Sequence, residues 1–132
     1  GYANPIQPNK PATDKDFNLA LEYCVDHIEK IAFCAGTHNE KSSKYLSELL
    51  ERNNIDPQHP HAYFAQLYGM SDHISFNLSN QGYRVAKYVP YGPVKEVLPY
   101  LIRRAEENTS MDGQMGRELG LIKSEMERRR KA

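Results

Sequence analysis

Apolar residues along this chain alternate between two spacings. Phe17, Ala20, Leu21, Cys24, Val25 and Ile28 recur three and four apart, the period of a helix with one buried face. Thr13 or Asp14 stands where an N-cap belongs. The next apolar run, Ile31-Ala32-Phe33-Cys34-Ala35, closes at Gly36 and is too short for a helix, so it predicts a buried strand. The pattern then repeats. Residues 40–53 predict a helix presenting Tyr45, Leu46, Leu49 and Leu50, with Asn53-Asn54 at its end. A proline-bearing turn leads to a second strand over 61–67, a segment over 71–81 that suits a short helix better than a strand, and a third strand over 83–89. Pro93-Val94 opens a helix to about residue 108. An amphipathic helix over 114–131 follows, with Met115, Leu119, Ile122 and Met126 as its stripe. Pro5, Pro8 and Pro11 predict a loop ahead of all this.

Helices that alternate with single strands argue for parallel strands joined by crossover helices. Three strands are too few to form a parallel sheet covered on both faces. A closed barrel of such units needs about 250 residues. The 132 residues therefore read as one incomplete domain, the last three strand–helix units of a (βα)8 barrel plus a C-terminal helix, with further units expected ahead of residue 1.

Charge narrows the function classes. Seventeen basic residues balance seventeen acidic ones, so no net positive field points to nucleic acid or anionic lipid. No apolar run is long enough to cross a bilayer, and no signal-peptide pattern opens the chain. Cys24 and Cys34 form no C-x-x-C pair. Each lies in or beside an apolar segment, so both read as buried, reduced thiols.

Polar residues cluster where α/β folds place ligands, beyond the carboxyl ends of strands. Thr37, His38 and Asn39 follow the first strand and offer hydroxyl, imidazole and amide groups to a polar cofactor. The bland alternative is that Thr37 or Asn39 simply caps the next helix. Arg103 and Arg104 lie near the end of the helix opened by Pro93, with Arg104 at the edge of its apolar stripe and Arg103 pointing away. They form either a guanidinium pair for a carboxylate or two cations favoured by the helix dipole. Glu107 is within helical reach of both. His59 and His61 flank a proline without a partner at metal-ligand spacing and read as solvated. The basic end Arg128-Arg129-Arg130-Lys131 reads as an exposed helix terminus.

The run from Tyr88 to Asn108, a Y-x-P-x-G element followed by Y-L-x-R-R-x-x-E-N, resembles the closing strand and eighth helix of the proline dehydrogenase family. Ala35-Gly36-Thr37-His38-Asn39-Glu40 resembles that family's sixth strand end, and Phe64-Ala65-Gln66-Leu67-Tyr68-Gly69-Met70 its seventh. The blocks occur in family order over nearly the whole chain, with wording closest to the monofunctional form of mitochondria and some bacteria.

This resemblance implies a distorted (βα)8 barrel that binds FAD non-covalently and oxidises L-proline to Δ1-pyrroline-5-carboxylate, with a quinone as electron acceptor. By matching position, Arg103 and Arg104 would bind the proline carboxylate, Tyr88 would pack against the proline ring and Leu67 would line the pocket. Thr37, His38 and Asn39 would contact FAD, with Glu107 close to the arginines and cofactor. A lysine, an aspartate and further flavin contacts would come from earlier strands. One position departs from many bacterial members, which carry a glutamine where Ala65 stands. Gln66 is one residue later and faces the other way, so it does not inherit that flavin contact. The implied setting is mitochondrial, or bacterial cytoplasm with peripheral contact to the inner membrane. The chain by itself is expected to lack activity and to self-associate through exposed strand edges. The rival readings are a non-catalytic α/β interaction module and a phosphate- or nucleic-acid-binding domain using the basic tail.

Overall fold

The computed structural model describes residues 6–109 and 114–131, with the side chains of 107–109, 114–118, 121, 122, 125 and 131 outside the description. Its elements run α1 (Lys10–Asp26), β1 (Phe33–Gly36), α2 (Glu40–Arg52), β2 (Ala62–Leu67), α3 (Asp72–Asn80), β3 (Val85–Tyr88), α4 (Val94–Thr109) and α5 (Gln114–Lys131). The predicted order holds throughout, and the strands are shorter than the apolar runs that announced them.

The first helix begins earlier than its pattern suggested. Asn9, not Thr13 or Asp14, is the N-cap, and its side chain accepts the Ala12 N–H. Pro11 falls inside the first turn, where a missing N–H costs no hydrogen bond. The residue expected to bar a helix is therefore part of its opening.

The three strands form one parallel sheet in the order β1-β2-β3. Phe33 pairs with Ala62 and Ala35 with Phe64; Phe64 in turn pairs with Val85. These residues share one face of the sheet, and the helices cover it. Phe64 is completely buried there, with Leu46 and Leu50 of α2, Leu21 and Val25 of α1, and Ile74 and Leu78 of α3 around it. Each such side chain contributes about 1.5–3 kcal/mol by leaving water. Tyr83 meets Phe64 edge-on at 5.3 Å between ring centres. Its hydroxyl donates to the Ser47 carbonyl, and burial raises its phenol pKa above the usual tyrosine value.

Alternation puts Cys34, Gly36, Tyr63, Ala65, Leu67, Ala86 and Tyr88 on the opposite face. Cys34 is exposed as a result, and Cys24 is only partly covered. Both are unpaired thiols, but the expectation of burial fails because hydrophobicity along a strand does not reveal which face a residue takes. The two histidines of the turn differ from expectation too. His61 Nδ1 donates to the Ile28 carbonyl at 2.7 Å, and His59 Nδ1 accepts the His61 N–H. The turn folds back on the chain between α1 and β1, so neither ring is simply solvated.

The chain divides into two compact units, Gly1–Tyr88 and Val89–Ala132. The second holds α4 and α5. In α4 the stripe residues Val94, Leu98 and Leu101 are exposed, and Leu119 and Met126 of α5 are exposed as well. Met115 and Ile122, the other members of the expected α5 stripe, lie outside the described side chains. Among the described residues, no helix is long and apolar enough to cross a membrane.

Candidate active site

The carboxyl ends of β1 and β2 are tied together by side chains. Thr37 N–H donates to the Ala65 carbonyl at 3.2 Å, extending the ladder one residue past β1. Behind it, Gln66 is 2% exposed. Its Nε2 donates to the Thr37 carbonyl at 3.2 Å, and its Oε1 accepts from the Ser75 hydroxyl at 2.9 Å. Gln66 thus faces the helices and braces the site from below, as strand alternation required.

His38 follows. The Leu67 N–H donates to its Nε2 at 3.3 Å, and its Nδ1 lies 2.8 Å from the Ser71 hydroxyl. Because Nε2 accepts, the ring proton sits on Nδ1, which donates to Ser71. His38 therefore bridges the end of β2 and the start of α3.

Asn39 caps α2. Its Oδ1 accepts the N–H groups of Lys41 and Ser42, while its own N–H donates to the Thr37 hydroxyl at 3.0 Å. The capping alternative thus holds for Asn39, and Thr37 supports that cap rather than forming it. Below β3's end, the Lys87 ammonium lies 2.7 Å from the Asp72 carboxylate and donates to the Met70 carbonyl. It fastens the loop that carries Ser71 to β3.

The sheet face opposite the helices forms a shelf. Gly36, Ala65 and Ala86 lie in one register row across the three strands. Two residues further on, Leu67 and Tyr88 are paired in register. Leu67 is buried and Tyr88 is 54% exposed. A Cβ added at Gly36 would meet nothing within 4 Å. A floor of small residues with an aliphatic and an aromatic wall at the strand ends can receive a flat ring and a small apolar ring beside it.

In the second unit, Arg104 lies with its guanidinium carbon 5.1 Å from the centre of the Tyr100 ring, one helical turn away. Cation–π contact of this kind fixes the direction of a guanidinium. Arg104 is partly buried and Arg103 exposed, the difference their 100° offset predicts. The Glu107 side chain lies outside the described residues. A groove of about 460 Å³ between α2 and α3, lined by Ser43, Lys44, Glu48, His73 and Asn77 among others, contains none of the candidate site residues. Among the described residues, no cluster could hold a metal ion.

The family model described as proline dehydrogenase matches residues 1–117. The chain belongs to the proline dehydrogenase family. It is 43% identical over 131 residues to the mitochondrial proline dehydrogenase 1 of Dictyostelium discoideum, covering 96% of this chain and 23% of that protein. It is 42% identical to the human mitochondrial proline dehydrogenase 1 over 132 residues, 98% of this chain and 22% of the relative. A hydroxyproline dehydrogenase of Xenopus laevis is 38% identical over 98% of this chain and 28% of its own length. Among solved structures, proline utilization A from Bdellovibrio bacteriovorus, inactivated by N-propargylglycine, superimposes with a TM-score of 0.74 at 30% identity. That match covers 82% of this chain and 11% of the other. The chain therefore spans about a quarter or less of the length of the first two relatives. The neighbour bears out the parallel strand–helix reading and the barrel assignment.

Proline dehydrogenases are generally flavin-dependent, and the residues present fit a flavin. The Gly36–Ala65–Ala86 row presents only small side chains on this face of the sheet. The loop after β1 adds the Thr37 hydroxyl and the Asn39 amide nitrogen, while the His38 ring nitrogens and the Asn39 oxygen are engaged within the protein. Sequence reading missed three contributors. Tyr100 was legible in principle, because a tyrosine four residues before an arginine on a helix meets it. Ser71 and Ser75 were not, because their partners lie 33 and 9 residues away.

Proposed function

We propose that residues 1–132 supply the last three strand–helix units and the C-terminal helix of a (βα)8 flavoenzyme that oxidises L-proline to Δ1-pyrroline-5-carboxylate. The observation that carries this reading is the register pairing of Leu67 with Tyr88 above the Gly36–Ala65–Ala86 floor, in a proline dehydrogenase family chain. Bound FAD supplies the acceptor for the hydride that leaves proline C5. Thr37 holds the cofactor through its hydroxyl and His38 through contact with its ring, whose two nitrogens are taken by Ser71 and Leu67, joined by the amide nitrogen of Asn39, whose oxygen is taken by the cap. Arg103 and Arg104 pair with the proline carboxylate, a planar acceptor suited to guanidinium forks. Tyr88 presents its ring to the pyrrolidine, and Leu67 closes the pocket wall. Glu107 stands beside the arginines and cofactor. These are positioning roles: each fixes substrate against cofactor, where alignment governs rate.

A quinone takes the electrons onward. The mitochondrial relatives and the bacterial neighbour support a mitochondrial or bacterial cytoplasmic setting; peripheral contact with the inner membrane in bacteria is part of the same proposal. The isolated 132 residues neither turn over proline nor hold FAD tightly, and they self-associate through the outer edges of β1 and β3. A monodisperse monomer in light scattering would count against the self-association.

The deciding experiment purifies the complete polypeptide and adds L-proline anaerobically. A bound-flavin absorbance that bleaches with proline is the expected result. A protein without flavin, inert to proline and to carboxylate-bearing proline analogues, would leave the non-catalytic interaction module as the better reading.

A further inference from the structure

We propose that Ser71 is a positioning residue for the cofactor loop, acting through His38; the proposal rests on the flavoenzyme reading above. Ser71 occupies the N-cap position of α3, a place where a serine normally accepts an N–H from the first turn. It makes no side-chain cap hydrogen bond. Its backbone is left-handed, at φ 52° and ψ 41°, a region that costs a residue with a Cβ about 1 kcal/mol or more. Two local preferences are thus forgone at one residue, and both departures aim its hydroxyl at His38, 2.8 Å away.

The consequence is a defined tautomer. If the Ser71 hydroxyl donated to Nδ1, the neutral ring would carry its proton on Nε2. That proton would face the Leu67 N–H, donor against donor. The 3.3 Å contact from Leu67 N to Nε2 therefore requires Nδ1–H donating to Ser71, with the Nε2 lone pair left for Leu67. Ser71 is 8% exposed, so water does not readily replace it. The ring is clamped between two elements. One clamp is the residue that forms the substrate wall, and the other opens α3. His38 cannot rotate toward or away from the cofactor without breaking both. Ser75, one turn along α3, braces Thr37 through Gln66 in the same way. A single helix face thus holds two consecutive cofactor-loop residues.

The test separates the hydrogen bond from the backbone. In the complete enzyme, Ser71→Gly removes the hydroxyl while favouring the left-handed conformation. Ser71→Asn also tolerates that conformation and restores an acceptor. Flavin affinity is read by fluorescence titration of the apoprotein, with thermal midpoints and proline kinetics alongside. Ser71→Gly is expected to weaken flavin binding roughly fivefold, the loss of one neutral hydrogen bond, with the apoprotein's thermal midpoint unchanged or raised. Ser71→Asn should recover most of that affinity. Flavin affinity equal to wild type in Ser71→Gly overturns the proposal. So does a loss of affinity that tracks a lower thermal midpoint and is not rescued by Asn, since that marks a merely structural role. Failure of the wild-type protein to bind flavin at all would instead sink the flavoenzyme reading beneath it, and the proposal with it.

Discussion

Replacing Gln66 with leucine tests whether the floor of the site is held by a buried polar bridge. Gln66 is almost fully enclosed and links the Thr37 carbonyl to the Ser75 hydroxyl. Leucine has similar bulk and no polar atoms, so packing changes little while both hydrogen bonds go. The two losses are unequal. Ser75 has a second acceptor, the Ser71 carbonyl at 3.3 Å, so its hydroxyl turns there at small cost. The Thr37 carbonyl loses its side-chain donor at the back of the site, and an acceptor left unsatisfied in a buried setting costs about 1–3 kcal/mol. Gln66→Leu should therefore lower stability by about 1–2 kcal/mol after the apolar side chain's own gain. Ser75→Ala alone leaves the enclosed Gln66 Oε1 without its donor and should cost about 1–3 kcal/mol, and the double variant less than the sum, because either single change already removes the Gln66–Ser75 hydrogen bond and it can be lost only once. Urea unfolding of the complete protein, compared across the four members of the cycle, measures these differences. Flavin affinity should fall in Gln66→Leu as well, since the Thr37 peptide is free to tilt. Strict additivity, or a Gln66→Leu protein as stable as wild type with unchanged flavin binding, would refute the idea that this bridge supports the cofactor loop.

Three further expectations concern other parts of the chain. Arg103→Ala and Arg104→Ala should each raise KM for proline by roughly tenfold to a hundredfold, the worth of a hydrogen bond to a charged group, with smaller effects on kcat; steady-state kinetics showing unchanged KM would remove the arginines from the carboxylate site. Tyr100→Leu keeps an apolar residue but ends the cation–π contact to Arg104, so KM should rise severalfold, an effect of about 0.5–1 kcal/mol, and Tyr100→Phe should restore it. Tyr83 has a folded-state pKa raised by burial, so ionisation near pH 10 is penalised only in the folded protein. Stability is held below the unfolded-state value and declines as pH rises through the raised one. Tyr83→Phe should flatten that alkaline decline in thermal melts, at a small neutral-pH cost from the lost bond to Ser47.

The sequence by itself determined the order of elements and their types. Apolar period and run length are local properties, and helix and strand differ in both. It also supplied the proposed site residues, since Thr37, His38, Arg103 and Arg104 sit in blocks that a family resemblance could match one by one. Boundaries were less legible. Asn9 opens α1 because a proline in the first turn is harmless, a positional fact that residue type alone hides. Facing was the larger gap. Cys34 and Phe33 look alike in an apolar run, yet strand alternation exposes one and turns the other toward the core. Tertiary structure alone decided the side-chain bridges. Whether Asn39 caps or binds, which nitrogen of His38 carries the proton, and why Ser71 leaves its own helix uncapped depend on residues that meet only when three parallel strands bring their carboxyl ends side by side. Hydrogen bonds select partners by distance and direction in space, and spacing along the chain records neither.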